Sequence, residues 1–292
     1  MKPAHLTPDI HRQLTRVTTA APDASLRHFP DFLILGPQRT GTTWIYHNLK
    51  RHPCVFLPPD KELYYFSTLG KSGHPKFRFV HLEDYLAVMA DSPRSWLKKS
   101  YDSLRKSARL YHPAVRGEAT ASYAAQPPEV IRDICLLNPE VKAILMVRDP
   151  VARAWSHGRK DLPRDDANPG GINLEALAGF LDGAEQRMLG RYRAMIENWT
   201  ACLRPGHLLV GDFPAISKEP EELLSRVHTF LGLPAGRRFY GRHLRERINP
   251  SAQGAVPPEV DELLRRELAE EIDAYRALTE EIRKGGGVAM CV

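Results

Sequence analysis

Short apolar runs alternate with longer amphipathic stretches along this chain. Phe32-Leu33-Ile34-Leu35 is an unbroken apolar run closed by Gly36, as expected of a strand buried on both faces. Residues 42–49 follow with Ile45 and Leu49 four apart, the spacing of one helix face. Cys54-Val55-Phe56-Leu57 predicts a short strand stopped by Pro58-Pro59, and residues 115–120 predict the end of another. The segments 141–147 and 207–210 predict two more strands. Helices are predicted over 127–137, from 151 onward, once or twice within 174–203, and over 220–231. A closing helix over 257–284 keeps a helical period through Val260, Leu263, Leu264, Leu268, Ile272, Tyr275, Leu278 and Ile282. Between 70 and 113 the pattern loosens, with one helix around Tyr85, Leu86 and Met89 and another over 96–110.

Strands alternating with helices predict an α/β fold, a three-layer sandwich around a central parallel sheet. Without repeats or low-complexity tracts, residues 31–284 read as a single domain, with 70–113 and 160–203 as insertions on the substrate side. Residues 1–30 read as a loose N-terminal arm, because Pro3, Pro8, Pro22 and Pro30 interrupt any regular element. The Gly285-Gly286-Gly287 run marks 285–292 as a flexible tail.

Composition narrows the classes. A hydrophobic content of 42% is that of a globular protein, and the formal charge of +6 over 292 residues suits an anionic ligand. No Lys/Arg block is long enough to argue for nucleic acid. The helix over 96–110 carries Lys98, Lys99, Arg105, Lys106 and Arg109 with Asp102 as its only acid; it reads first as a solvated face and second as a surface for an acidic substrate. Cys54, Cys135, Cys202 and Cys291 are scattered, which fits a reducing compartment. No apolar run approaches the ~20 residues of a membrane span. A cytoplasmic protein is expected, its oligomeric state left open.

The chemistry starts at the first strand. A strand, a Gly-bearing loop and a helix N-terminus gather free N–H groups and the helix dipole on one point, which makes an anion site. The spacing Gly36-x4-Gly41 is that of a phosphate loop, but Thr42 stands where an ATP-hydrolysing loop has Lys. Nor does the strand over 141–147 end in a metal-anchoring acid; it runs into Arg148-Asp149-Pro150. An anion held by N–H groups, hydroxyls and Arg39, without metal, follows. Arg148 and Ser156 suggest a second anion site, one at a strand end and one two turns into the next helix. The C-terminal ends of parallel strands share one edge, so both sites open on one crevice, for a ligand with two separated anionic groups.

This constellation resembles the sulfotransferase family that uses 3′-phosphoadenosine 5′-phosphosulfate (PAPS). In motif it is nearest the carbohydrate, tyrosyl and bacterial branches. The resemblance runs from Phe32 to Ser156, with a weaker echo over Arg247 to Gln253. It implies that Pro37, Gln38, Arg39, Thr40, Gly41, Thr42, Thr43 and Trp44 bind the 5′-phosphosulfate. Arg148 and Ser156 would bind the 3′-phosphate, with Arg247, Ser251 and Gln253 closing over that side. For Trp44 and Trp155, core packing competes with stacking on adenine. Lys61-Glu62-x-x-x-Phe66 resembles the base-bearing segment, and Glu62 has the apolar neighbours Leu63, Tyr64, Tyr65 and Phe66. Gly117-Glu118-Ala119-Thr120-Ala121-Ser122-Tyr123 resembles a strand end near the reaction centre; the usual form there has Lys or Ala and then Thr-Pro, and with Ala119 and Ala121 here no Lys is carried over. His52, His74, His81, His112 and His157 are rival bases, His74 and His112 foremost.

The implied reaction is in-line transfer of a sulfuryl group to a hydroxyl, before an amine, of a carbohydrate, lipid or secondary metabolite. Glu62 would act as base, Arg39 and Lys61 would stabilise the leaving phosphate, and adenosine 3′,5′-bisphosphate (PAP) would be the product. The implied partner is a small-molecule, glycan or lipid acceptor. A P-loop nucleotide kinase, or a non-catalytic module that keeps the nucleotide fold, are the competing readings. The missing loop Lys speaks against the first, and the presence of Arg39 and Glu62 against the second.

Overall fold

A computed structural model of the chain describes residues 2–165, 167, 171–241, 244–245 and 256–292. Six strands form one sheet: β1 (Phe32–Leu35), β2 (Val55–Phe56), β3 (Val115–Ala119), β4 (Lys142–Val147), β5 (Leu208–Asp212) and β6 (Ala289–Cys291). Their order is β2-β3-β1-β4-β5-β6, with β1 through β5 mutually parallel and β6 antiparallel on β5. Chain connections leave β1 toward β2 and β3 on one side and pass through β4 and β5 on the other. The C-terminal ends of β1 and β4 therefore frame a topological switch point, where parallel α/β sheets open a crevice.

The period-2 alternation of each strand builds the layers. Leu33, Leu35, Ala143, Leu145, Val147, Leu208 and Val210 face one core with the helices Pro128–Leu137, Tyr192–Thr200 and Ala269–Gly286. Phe32, Ile34, Ile144, Met146 and Leu209 face the other with the helices Thr42–Leu49 and Pro220–Phe230. With apolar residues on both faces, these strands read as continuous runs and not as alternation. A third cluster joins the helices Pro150–Asp161, Leu174–Asp182 and Pro258–Glu267 through Val151, Leu177, Val260 and Leu264.

Three expectations change. Residues 2–30 are not a loose arm. Thr7 caps the helix Pro8–Gln13, and Leu6, Val17, Leu26 and Phe29 are buried in the first core. The buried Asp133 then accepts hydrogen bonds from the backbone N–H groups of Thr15, Arg16 and Val17 at 2.7–3.1 Å. The tail is not frayed either: the closing helix runs to Gly286, and the chain returns as β6 with Met290 opposite Val210. Finally, the closing helix is two, broken at Leu268. Val260, Leu263, Leu264, Leu268 and Ile272 pack into the third cluster, whereas Tyr275, Leu278 and Ile282 belong to the first. One straight helix could not serve both.

Candidate active site

The loop after β1 is shaped by two glycines. Gly36 has φ +136°, and a Cβ there would lie 2.8 Å from the carbonyl of Met146 and from Thr40 Oγ1. Gly41 has φ +96° and forms the N-cap of the helix Thr42–Leu49, with Ile216 2.3 Å from where a Cβ would stand. Between them Arg39 holds φ +74°, a left-handed conformation costly for a residue with a Cβ. That turn aims its guanidinium across the crevice, where Nε donates to Ser156 Oγ at 2.7 Å. Arg148 Nη1 in turn donates to the Arg39 carbonyl at 2.9 Å. The two anion sites expected from sequence are thus one contiguous surface.

Burial pushes the Arg148 guanidinium down from its ordinary value, and the Arg39 charge beside it acts the same way. Burial also lowers Arg39, against an upward pull from Asp161. Two partly desolvated cations side by side are suited chemically to hold an anion. Arg148 is braced from below: its guanidinium lies 4.3 Å from the Phe213 ring centroid, and the Tyr192 hydroxyl donates to its carbonyl at 2.7 Å. The helix Pro150–Asp161 starts with Pro150 and is capped by Asp149, which accepts from the Ala152 N–H at 2.8 Å. That start fixes where Ser156 emerges.

Threonine positions divide. Thr42 is buried, and its Oγ1 accepts from Lys61 Nζ at 3.2 Å; Thr43 is half-buried beside it. Thr40 turns inward, its buried hydroxyl donating to the Pro37 carbonyl at 2.8 Å, so it braces the loop and does not offer its side chain to a ligand. Pro37 is buried, and Gln38 has an enclosed Oε1 without a hydrogen-bond partner among the described residues. Trp44 packs into the second core and donates its indole N–H to the Leu244 carbonyl at 3.0 Å, and Trp155 is buried in the third cluster. Arg247, Ser251 and Gln253 lie outside the described residues.

The segment after β2 comes to the same place because Tyr46, on the loop helix, donates its hydroxyl to the Pro58 carbonyl at 2.7 Å. Lys61 and Glu62 follow directly. Lys61 Nζ bridges Thr42 Oγ1 and Glu62 Oε1, the latter at 3.0 Å. Glu62 is therefore not an exposed surface carboxylate; only 14% of its side chain is accessible. Its Oε2 is enclosed and lacks a hydrogen-bond partner among the described residues. Beside it Tyr64 holds φ +58°, and its hydroxyl is pushed well up by burial and by the nearby carboxylates of Glu62, Glu185 and Asp161.

A buried network missed in sequence holds this segment. Thr120 Oγ1 accepts from the N–H groups of Leu63 and Tyr64 at 3.1 and 3.4 Å and donates to Glu118. Tyr85 donates to the other Glu118 oxygen at 2.7 Å, and Tyr123 Oη accepts from the Phe66 N–H at 3.2 Å. Glu118 itself is enclosed, opposite Leu33 in the sheet register. The only sequence signal was an acid at the end of a strand in a motif already singled out.

The rival histidines separate by position. His112 stands ahead of β3, its N–H bonded to the Pro53 carbonyl, at the N-terminal edge of the strands and away from the crevice. His52 is buried between the Pro234 carbonyl and the Cys54 N–H. His157 is buried against Gln186 and Asp161, His81 caps a helix, and His74 is exposed on a turn.

Comparison with known proteins agrees in family and fold. A family profile described as "Sulfotransferase family" matches residues 30–236. The chain is 26% identical over 222 residues to the bifunctional heparan sulfate N-deacetylase/N-sulfotransferase 4 of Mus musculus, covering 70% of this chain and 22% of that protein. It is 28% identical over 213 residues to the heparan sulfate glucosamine 3-O-sulfotransferase 6 of Mus musculus, covering 71% of this chain and 53% of that protein. The chain thus corresponds to only part of the length of these curated relatives. In fold it is similar to a sulfotransferase from Alicyclobacillus acidocaldarius, with TM-score 0.53 and 19% identity over 85% of this chain and 95% of that one.

Proposed function

The chain belongs to the sulfotransferase family, whose members are PAPS-dependent enzymes, and from that premise we propose that it transfers a sulfuryl group from PAPS to an acceptor hydroxyl, with Glu62 as base. The observation that carries this reading is one juxtaposition. Lys61 ties Glu62 to Thr42 at the phosphate loop, on the crevice lined by Arg39, Ser156 and Arg148. A carboxylate beside a run of cations is what a sulfuryl donor and a hydroxyl acceptor require.

In this reading the loop N–H groups, Thr42 and Thr43 receive the 5′-phosphate, and Arg148 with Ser156 receives the 3′-phosphate. Gln38, with an enclosed amide oxygen still open, suits a polar ligand at the same loop. The acceptor oxygen bonds to sulfur while its proton passes to Glu62 Oε2. The bond from sulfur to the bridging oxygen of the 5′-phosphate breaks, and PAP departs. Lys61 and Arg39 meet the charge that grows on that bridging oxygen, which makes them worth more in the transition state than in the ground state. The relatives named for heparan sulfate favour a carbohydrate acceptor over a lipid or a secondary metabolite. The catalytic unit would take in residues 2–30 and β6 as well as 31–284, because both pack into the sheet and its cores, and the scattered spacing of the four cysteines suits a reducing, cytoplasmic setting.

Calorimetry without magnesium should give tight binding of PAP and weak binding of ATP; equal affinities would overturn the nucleotide assignment. Glu62→Gln should abolish turnover and keep PAP affinity, and a variant with unchanged turnover would remove Glu62 from the role.

A further inference from the structure

The helix Pro93–Ser107 is turned inside out. Among its described side chains the buried positions are Ser100, Ser103 and Ser107, with Ser107 Oγ donating to the Ser103 carbonyl at 2.9 Å. Its apolar residues point outward: Trp96, Leu97, Tyr101 and Leu104 are 40%, 63%, 62% and 48% exposed, and Leu110 just beyond is 60% exposed. Leu97, Tyr101 and Leu104 recur at i, i+4 and i+7, which sets them on one ridge. Arg94, Lys98 and Arg105 are exposed on the neighbouring ridge, and the Arg105 guanidinium lies 5.7 Å from the Tyr101 ring centroid.

Charge is concentrated on the same stretch. Residues 93–110 hold Arg94, Lys98, Lys99, Arg105, Lys106 and Arg109 against Asp102 alone, a net 6 − 1 = +5 in a chain whose total is +6. Of these, Lys99 is engaged internally, 2.7 Å from Asp91 and 4.4 Å over the Phe56 ring. Arg109 sits 5.9 Å over the ring of Phe239. These contacts hold the helix along the outer edge of β2, away from the crevice at the ends of β1 and β4.

We propose that this face docks the protein on an anionic lipid bilayer, with the Leu97–Tyr101–Leu104 ridge at the headgroup–acyl boundary and the cations on lipid phosphate. A bilayer surface offers apolar depth and negative charge side by side, which is the pairing this helix presents. A second copy fits worse, because a two-fold interface on this ridge brings Arg94, Lys98 and Arg105 near their own copies. An acidic polypeptide would meet the cations and leave the ridge uncovered. No helix among the described residues is long and apolar enough to cross a membrane. The proposal is independent of which acceptor is sulfated.

Vesicle co-sedimentation of the full chain tests it, with phosphatidylcholine alone against phosphatidylcholine mixed with phosphatidylserine. Binding should require phosphatidylserine and weaken with salt. Leu97→Ser/Tyr101→Ser/Leu104→Ser should lose it, and Arg94→Gln/Lys98→Gln/Arg105→Gln should weaken it on the order of 100-fold. Both variants should keep the thermal transition and PAP affinity of the parent. Three results would overturn the proposal: no binding to either vesicle, binding retained by both variants, or a concentration-dependent dimer that the apolar variant breaks. Capture by polyglutamate, undiminished in the apolar variant and without vesicle binding, would hand the face to an acidic polypeptide instead.

Discussion

Replacing Glu118 by glutamine should flatten the pH dependence of stability near neutrality. Burial pushes the Glu118 carboxyl from an ordinary 4.5 up to about 7, while the hydroxyls of Thr120 and Tyr85 pull it back down. In the unfolded chain the group gives up its proton near 4.5, whereas the folded protein retains it to about 7. Between those limits the folded state binds more protons, so stability falls as pH rises. The contribution is fully present below the unfolded value and is lost on passing through the folded one. The gap amounts to about 3 kcal/mol. Tyr85 and Tyr123, both pushed further up by burial, stay neutral across this window and add nothing to it. Urea unfolding of the parent and of Glu118→Gln between about pH 4.5 and pH 8 measures the effect as a difference of slopes. The substituted amide would keep one acceptor oxygen but present an NH2 in a site built for acceptors. That sets the variant's flat curve about 1–3 kcal/mol below the parent's low-pH level, a deficit that shrinks as the parent's stability falls toward pH 8. A variant whose stability declines with pH as steeply as the parent's would refute the assignment of a protonated, enclosed carboxyl.

Other perturbations read the site directly. Ser156→Ala removes the hydroxyl that receives Arg39 Nε, and PAP affinity by calorimetry should fall roughly 10- to 100-fold with folding intact. Thr120→Val strips the acceptor from the Leu63 and Tyr64 N–H groups; kcat should fall while the KM for PAPS changes little, because the fault lies in the base segment and not at the phosphate seat. Gly41→Ala forces a Cβ to 2.3 Å from Ile216 Cδ1 at a left-handed φ, and both the thermal midpoint and PAP binding should drop.

The sequence was most legible where burial is two-sided and the chemistry local. β1, β4 and β5 show as unbroken apolar runs because both faces are covered, and the Pro150 and Asp149 start of the following helix is a short-range signal. The meeting of Arg39, Arg148 and Ser156 was readable one step further out, since parallel strands present their C-terminal ends together. Elements fixed by distant partners were illegible. The N-terminal segment has prolines that suggest disorder, yet its anchor, Asp133, lies more than a hundred residues away. β6 is three residues behind a glycine run, and only β5 makes it a strand. The break at Leu268 is hidden because the apolar period continues through it while its packing partner changes. His112 was misplaced for a related reason: whether a loop overhangs the crevice or the opposite edge depends on the direction of a strand two residues long.

The Asp133 carboxylate that gathers the N–H groups of residues 15–17 also bears on how the chain assembles during synthesis. Residues 15–29 leave the ribosome long before Asp133 does, carrying Val17, Leu26 and Phe29 with no core yet to enter. The helix Pro128–Leu137 has to be made and packed before the carboxylate stands where those amides can reach it. This segment is translated well before its partner and is thus among the later ones to dock, its apolar side chains waiting through more than a hundred residues of elongation.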